Sequence, residues 1–259
     1  MYRRAIVRRP AENFADGLTT QDLGVPDVAR ALEQHAAYAA ALERCGLMVT
    51  RLSPDPRYPD STFVEDTAIL TPRGAVLTRP GAPPRAGEVG AIEPAIRCFY
   101  PGLPRIEAPG TVDGGDVCEA GDHFFIGISE RTNADGARQL AGHLARLGYT
   151  SSEIDVRGVA GILHLKSGIA ALDARRLVLI RALAAHPAFA GFERLVVEDA
   201  EAYAANCVRV NDHLLVASGY PRFEAAARKT GLDAIALDMS EFAKMDGGLS
   251  CLSLRFWSS

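Results

Sequence analysis

One local plan recurs along this chain and limits what it can fold into: a short apolar run, a tight turn, a second apolar run, then often an amphipathic helix closed by glycine. Residues 66–70 turn at Pro72-Arg73-Gly74 into 75–79, and 116–120 turn at Gly121-Asp122 into 123–128. Residues 168–172 turn at Asp173 and Ala174 into 177–181, and 206–210 turn at Asn211-Asp212 into 213–218. A fifth copy is split between the chain ends, where 251–256 reads as a strand able to pair with 3–8. Starts spaced about 40 to 50 residues apart are typical of closed arrays of repeated units, and pairing of the two ends closes a ring. Helices fill the gaps. Over 27–45, Val28, Leu32, Ala36, Ala39 and Leu42 keep one stripe before Gly46; over 134–147, Ala137, Leu140, Ala141, Leu144 and Leu147 do so before Gly148. The expectation is a single α/β domain over 1–259 built from five like units; a generic α/β domain is the plain alternative.

Polar residues fall at one level of this repeat. Asp60, Glu65 and Asp66 stand at the start of the first unit, Asp113-Gly114-Gly115-Asp116 at the second, His164-Leu165-Lys166-Ser167 at the third, and Cys251 at the last. If the strands that begin each unit are innermost, a ring delivers carboxylates, an imidazole and a thiol to one pocket. Cys251 follows Gly247 and Gly248, whose turn exposes it, and precedes the alternation Leu252, Leu254, Phe256, which holds it still. Singly, each residue has a dull explanation. A lone cysteine is usually packed and inert, Asp-Gly turns are usually hairpins or caps, and His164 between two leucines reads as a strand histidine. Arg85 and Arg131 read as solvated surface. Their joint occurrence at matching places favours chemistry, because thiol, imidazole and acid together activate a nucleophile whatever their separation in sequence.

Composition narrows the partners. A net charge of −4 with no basic block gives no reason to expect nucleic acid or an anionic membrane. No segment approaches the roughly 20 apolar residues of a membrane span. Five scattered cysteines without a C-x-x-C argue against a disulfide framework or a structural zinc, so reduced thiols in a cytoplasmic protein are expected.

FVEDTAI (63–69), TRPGAPPR (78–85), DGGDV (113–117), His164-Leu-Lys-Ser and GGLSCLS (247–253), in this order over nearly the whole chain, resemble the dimethylarginine dimethylaminohydrolases of the guanidino-group-modifying superfamily. The resemblance implies a pentameric α/β-propeller that hydrolyses Nω-methylated arginines to citrulline and a methylamine, without metal or cofactor. It makes Cys251 the nucleophile, His164 the proton shuttle and Asp113 the acid that orients it. It places Glu65 and Asp66 at the guanidinium, Phe63 among the substrate-binding residues, and Asp60 with the Leu18 carbonyl at the α-ammonium. Arg85 and Arg131 would clamp the carboxylate, while the Asp246 segment would line the guanidino end through its backbone. Leu18 lies in a glycine-containing polar loop that could act as a lid. The partner implied is a small guanidino compound, with the protein a monomer or homodimer.

Lys166 bears on substrate choice. Arginine deiminases of the superfamily carry an acid two residues after the catalytic histidine and an inserted helical domain; Lys166 and the short chain favour a pocket with space for methyl groups. Agmatine, lacking a carboxylate, would leave Arg85 and Arg131 unused. A deiminase of another arginine-like compound, an amidinotransferase and a non-catalytic binding propeller remain as lesser readings. Asp60, Glu65, Asp66 and Asp113 should also hold the Cys251 thiol protonated until a cationic substrate relieves the repulsion.

Overall fold

The computed structural model describes residues 1–257. The first strand, β1 (Arg4–Arg8), leads through helix α1 (Val28–Arg44) to β2 (Met48–Leu52), which pairs parallel to it. Helix α1 starts where the Asp27 carboxylate accepts from the Ala29 and Arg30 amides, and it buries Ala31, Tyr38, Ala41 and Leu42 on one face. Next come the antiparallel pair β3 (Ala68–Thr71) and β4 (Gly74–Leu77), then α2 (Glu88–Arg97). The second hairpin is β5 (Val117–Ala120) and β6 (His123–Ile128), followed by α3 (Ala134–Arg146) and the parallel strand β7 (Thr150–Asp155).

The third unit consists of β8 (Ile169–Ala171), β9 (Arg176–Ile180) and β10 (Glu193–Val197). The fourth is β11 (Val208–Val210), β12 (His213–Ala217), α4 (Pro221–Ala227) and β13 (Asp233–Leu237). After α5 (Ser240–Ala243), β14 (Leu254–Phe256) returns to pair antiparallel with β1, Ile6 opposite Leu254 and Arg4 opposite Phe256. The chain ends therefore join as the sequence predicts.

The result is five separate small sheets, four of three strands and one of two. Each begins with an antiparallel pair. In four of them a third, parallel strand lies outside the pair, and sequence reading missed all four: they are largely exposed and carry no regular alternation of burial. In the two-stranded sheet that partner shrinks to a single parallel bridge between Leu77 and Arg105. Both strands of each antiparallel pair are largely buried, and a central cavity of about 130 Å³ touches all five unit-starting strands, through Ile69, Cys118, Ala170, Arg209 and Arg255.

Each of these five strands is preceded by a 3-10 turn: 64–67, 114–116, 165–167, 199–205 and 250–252. The first two turns pack together because the second gives up two side chains, at Gly114 and Gly115. A Cβ on Gly114 would lie 2.0 Å from the Glu65 carbonyl oxygen, a clash of backbone with backbone. Gly114→Ala must therefore push the first and second turns apart. It should lower stability by at least the ~1–3 kcal/mol of core overpacking, read as a shift of the denaturation midpoint; a change within error would show that the turns can separate freely.

Candidate active site

The glycine-paired turn at 113–116 arranges the polar centre. The Asp113 Oδ2 lies 3.0 Å from His164 Nε2, while its Oδ1 accepts from the Gly81 amide at 2.8 Å. Gly115 donates its N–H to Asp66 Oδ1 at 2.8 Å, and a Cβ there would stand 3.0 Å from the His164 ring. Bare backbone at 114 and 115 thus lets a carboxylate and an imidazole close on the same turn. Asp116 faces the other way. Its fully buried carboxylate accepts from Ser129 Oγ at 2.6 Å and from the Leu165 amide at 2.9 Å, which fixes the segment carrying His164.

Cys251 is half-buried beside this centre. It shares one narrow cavity with Leu18, Asp60, Phe63, Asp66, Arg85, Arg131, His164 and Asp246, so eight of the residues expected from sequence meet Cys251 there, with Asp113 directly behind His164. Leu163, Met245 and Gly247 complete the wall. A Cβ on Gly247 would meet the Phe63 ring at 2.4 Å, which explains the glycine before the cysteine turn.

Glu65 corrects an expectation. Its carboxylate does not line this cavity: Oε2 accepts from Ser250 Oγ at 2.8 Å, and Oε1 lies 2.6 Å from Lys166 Nζ and 3.4 Å from Arg255. Glu65 and Asp66 are neighbours on one tight turn and cannot face the same side. Lys166 likewise turns from the cavity toward the central one. Arg85 lines the cavity but is engaged in the empty site, with Asp66 at 2.6 Å, Glu88 at 2.8 Å and the Phe63 carbonyl at 3.1 Å. A buried guanidinium has to be paired. Arg131 stands 3.8 Å from Asp113.

Burial, helped by Glu65 and Asp66, pushes the Cys251 thiol up to about 12. Burial pulls the His164 imidazole down, but Asp116, its hydrogen bond to Asp113, and Asp66 outweigh this and lift it to about 9. Burial alone would raise Asp66, yet the Arg85 guanidinium holds it at about 2. At neutral pH the empty site therefore pairs a thiol with an imidazolium. Donor atoms of Asp66, Asp113 and His164 lie within 4.8 Å of one another, as a metal would require. Each is already committed, to Arg85 and Gly115, to Gly81 and to one another, which suits a charge-balanced acid–imidazole centre better than a cation site.

Comparison with known proteins gives the family. No protein-family model matches the chain. It is 47% identical over 257 residues, 99% of its own length and 100% of the relative's, to the N(G),N(G)-dimethylarginine dimethylaminohydrolase of Pseudomonas aeruginosa. The chain belongs to the dimethylarginine dimethylaminohydrolase family. Among solved dimethylarginine dimethylaminohydrolases, a Cys-to-Ser mutant of the P. aeruginosa protein complexed with citrulline superposes with a TM-score of 0.96 at 46% identity. A His-to-Gly variant in adduct with S-methyl-L-thiocitrulline superposes at 0.95 and 46%; each comparison covers 99% of this chain and 100% of the other. The mixed α/β fold is that of the family.

Sequence reading missed Asn206 and Ser250. Asn206 accepts from the Ser250 amide at 3.0 Å and donates to Ser250 Oγ at 3.1 Å and to the Lys166 carbonyl at 2.9 Å. Its position at the start of the fourth unit, level with His164 and Cys251, was the available signal.

The loop over 17–24 closes the cavity. Leu18 N–H donates to Asp60 at 3.1 Å, and Asp246, whose φ of 56° turns its carboxylate back, accepts from Thr20 N at 2.6 Å, Thr20 Oγ1 at 2.9 Å and Gln21 Nε2 at 2.6 Å. Only about 20 Å³ stays open, room for about one water. An amino-acid ligand needs more room than this, and the tethered 17–24 loop is one part of the wall that would have to give it. Asp246→Ala removes three tethers worth roughly 1 kcal/mol each and should speed proteolysis within 17–24 several-fold in the ligand-free protein; unchanged cleavage would mean that the Leu18–Asp60 and Thr19–Lys244 contacts suffice to hold the loop.

Proposed function

We propose that this protein hydrolyses Nω,Nω-dimethyl-L-arginine, and Nω-monomethyl-L-arginine, to L-citrulline and dimethylamine or methylamine. The observation that carries the reading is the juxtaposition, in one acid-walled cavity, of Cys251 with a His164 imidazole hydrogen-bonded to Asp113. Membership of the family supports the choice of substrate. Cys251 is the nucleophile, His164 the general acid and then base, and Asp113 the group that orients His164.

Asp66 faces the guanidinium, with Phe63 and the backbone beside Asp246 shaping the space around it. Asp60 and the Leu18 carbonyl receive the α-ammonium. Arg85 and Arg131 receive the α-carboxylate, for which their forked donors suit better than lysine. In this scheme the incoming carboxylate takes over part of the charge balance that Asp66 gives Arg85 in the empty site, leaving Asp66 available to the guanidinium.

The substrate's positive charge offsets Asp66 and Glu65 and promotes loss of the thiol proton to solvent. The thiolate adds to the guanidinium carbon, and the His164 imidazolium protonates the departing amine. A covalent thiouronium remains on sulfur. Neutral His164 then takes a proton from water as its oxygen adds to the same carbon, and cleavage of the C–S bond releases citrulline and the thiolate. Only side chains of this protein are used.

The same reading closes the five sheets into a pentameric α/β-propeller, a single domain over 1–259; the central cavity touching all five inner strands supports it. We assign it to the cytoplasm as a monomer or homodimer acting on a small guanidino compound, without nucleic acid or membrane. Among the described residues no helix is long and apolar enough to cross a membrane.

A parallel assay of asymmetric dimethylarginine, monomethylarginine, arginine and agmatine tests the substrate. Citrulline with dimethylamine and poor use of arginine is expected, whereas fast ammonia release from arginine would make the protein a deiminase. Cys251→Ser should lose at least 10³-fold in turnover, of the order seen when a nucleophile is removed, while citrulline binding by calorimetry persists. Iodoacetamide inactivation should rise with pH toward the thiol value of about 12 and shift to lower pH with free guanidinium; a midpoint indifferent to guanidinium rules out arming by substrate. Turnover should fall above pH about 9, where His164 loses the proton it must donate.

A further inference from the structure

Behind Cys251, on the side away from the substrate cavity, lies a chain of polar contacts that the reaction does not use. Lys166 Nζ is 2.6 Å from Glu65 Oε1, and Glu65 Oε2 accepts the Ser250 hydroxyl proton at 2.8 Å. Ser250 Oγ accepts in turn from Asn206 Nδ2 at 3.1 Å, and the Ser250 amide donates to Asn206 Oδ1 at 3.0 Å. The hydroxyl has one proton and two lone pairs. Glu65 takes the proton and Asn206 fills one lone pair, so the face left toward Cys251 Sγ, 3.9 Å away, can only accept. An accepting group favours S–H over S⁻.

We propose that Glu65, Ser250, Asn206 and Lys166 form a positioning unit that disfavours the Cys251 thiolate from behind, through the Ser250 hydroxyl. The inference rests on the hydrolase reading above. It gives Glu65 a role other than substrate contact, and it gives Lys166 a positive one: the ammonium sets how much of the Glu65 charge the sulfur feels.

The charged and titratable groups around the thiol come from several elements. Glu65 and Asp66 stand on the 64–67 turn, His164 and Lys166 at the 165–167 turn, Tyr203 on the 199–205 turn, Asp246 before the cysteine, Asp60, Arg85 and Arg131 around the cavity, and Arg255 of β14 3.4 Å from Glu65, where it shares that charge with Lys166. Glu65 and Asp66 oppose the thiolate and Lys166 favours it, in agreement with the geometry. Asp66 is neutralised by Arg85 at 2.6 Å and Tyr203 is engaged with the Gly247 carbonyl at 2.8 Å. Glu65 is the acid linked to the cysteine turn by a hydrogen bond.

A neutral amide at 65 would free the Ser250 proton to turn toward sulfur, whereas loss of the ammonium at 166 would leave the Glu65 charge less balanced. The two changes act in opposite directions, which a merely structural role would not produce. The test is the pH midpoint of iodoacetamide inactivation of ligand-free Glu65→Gln, Lys166→Met and Lys166→Arg proteins. Glu65→Gln should lower the midpoint by about one unit, a tenfold gain in thiolate at a given pH, Lys166→Met should raise it, and charge-keeping Lys166→Arg should leave it near the original.

Midpoints that stay fixed, or that move the same way in Glu65→Gln and Lys166→Met, overturn the inference. If Glu65→Gln does not fold, the contrast between Lys166→Met and Lys166→Arg decides by itself. Dimethylarginine turnover by the unaltered protein is measured alongside. Turnover with unmoved midpoints sinks this inference alone, whereas absent turnover sinks the hydrolase reading and leaves the midpoints to decide whether the unit controls the thiol.

Discussion

The hydrogen bond from the Gly115 amide to the Asp66 carboxylate, 2.8 Å long and wholly buried, is the contact on which the site depends. It ties the turn that starts the first unit to the turn that starts the second. An ionised carboxylate so far from water survives only with compensation, and Arg85 supplies it at 2.6 Å. Arg85 in turn needs Glu88, which burial raises to about 7 even against the pull of that guanidinium. The result is an acid wall held in place by its own counter-ions rather than by solvent.

His164 and Cys251 inherit their chemistry from this wall. Imidazole and thiol are both pushed toward their protonated forms, the first by Asp116, Asp113 and Asp66 against the burial that opposes its charge, the second by burial, Glu65 and Asp66. A ready-made thiolate would be exposed to any oxidant or electrophile. Here the missing positive charge belongs to the substrate, so reactivity and recognition come from the same electrostatic deficit. The nearly closed cavity strengthens the effect, since little water remains to screen it.

Much of this was legible in the residues. The five strand–turn–strand units stand within a few residues of their expected positions, because apolar runs bounded by glycine and aspartate turns are strong local signals. Cys251, His164 and the Asp113–Asp116 turn stand at matching places in the repeat, and the family resemblance singles out Asp113 from the two acids. The outer parallel strands were not found, since exposed edge strands have no buried face to impose alternation. Nor was the role of Asn206, just after the 199–205 turn, whose value comes from Ser250, 44 residues later.

Sequence by itself determined the repeat, the pairing of the chain ends, and the residue types available for thiol chemistry on a cation, because turn propensity, strand periodicity and side-chain acidity are local properties. Only the tertiary structure decided which way each acid faces. Glu65 and Asp66 are adjacent in sequence, yet one looks into the substrate cavity and the other away from it toward Ser250 and Lys166, because a 3-10 turn rotates successive side chains by about a third of a circle. No pattern of residue types distinguishes two neighbouring carboxylates; the packing of these turns against one another does.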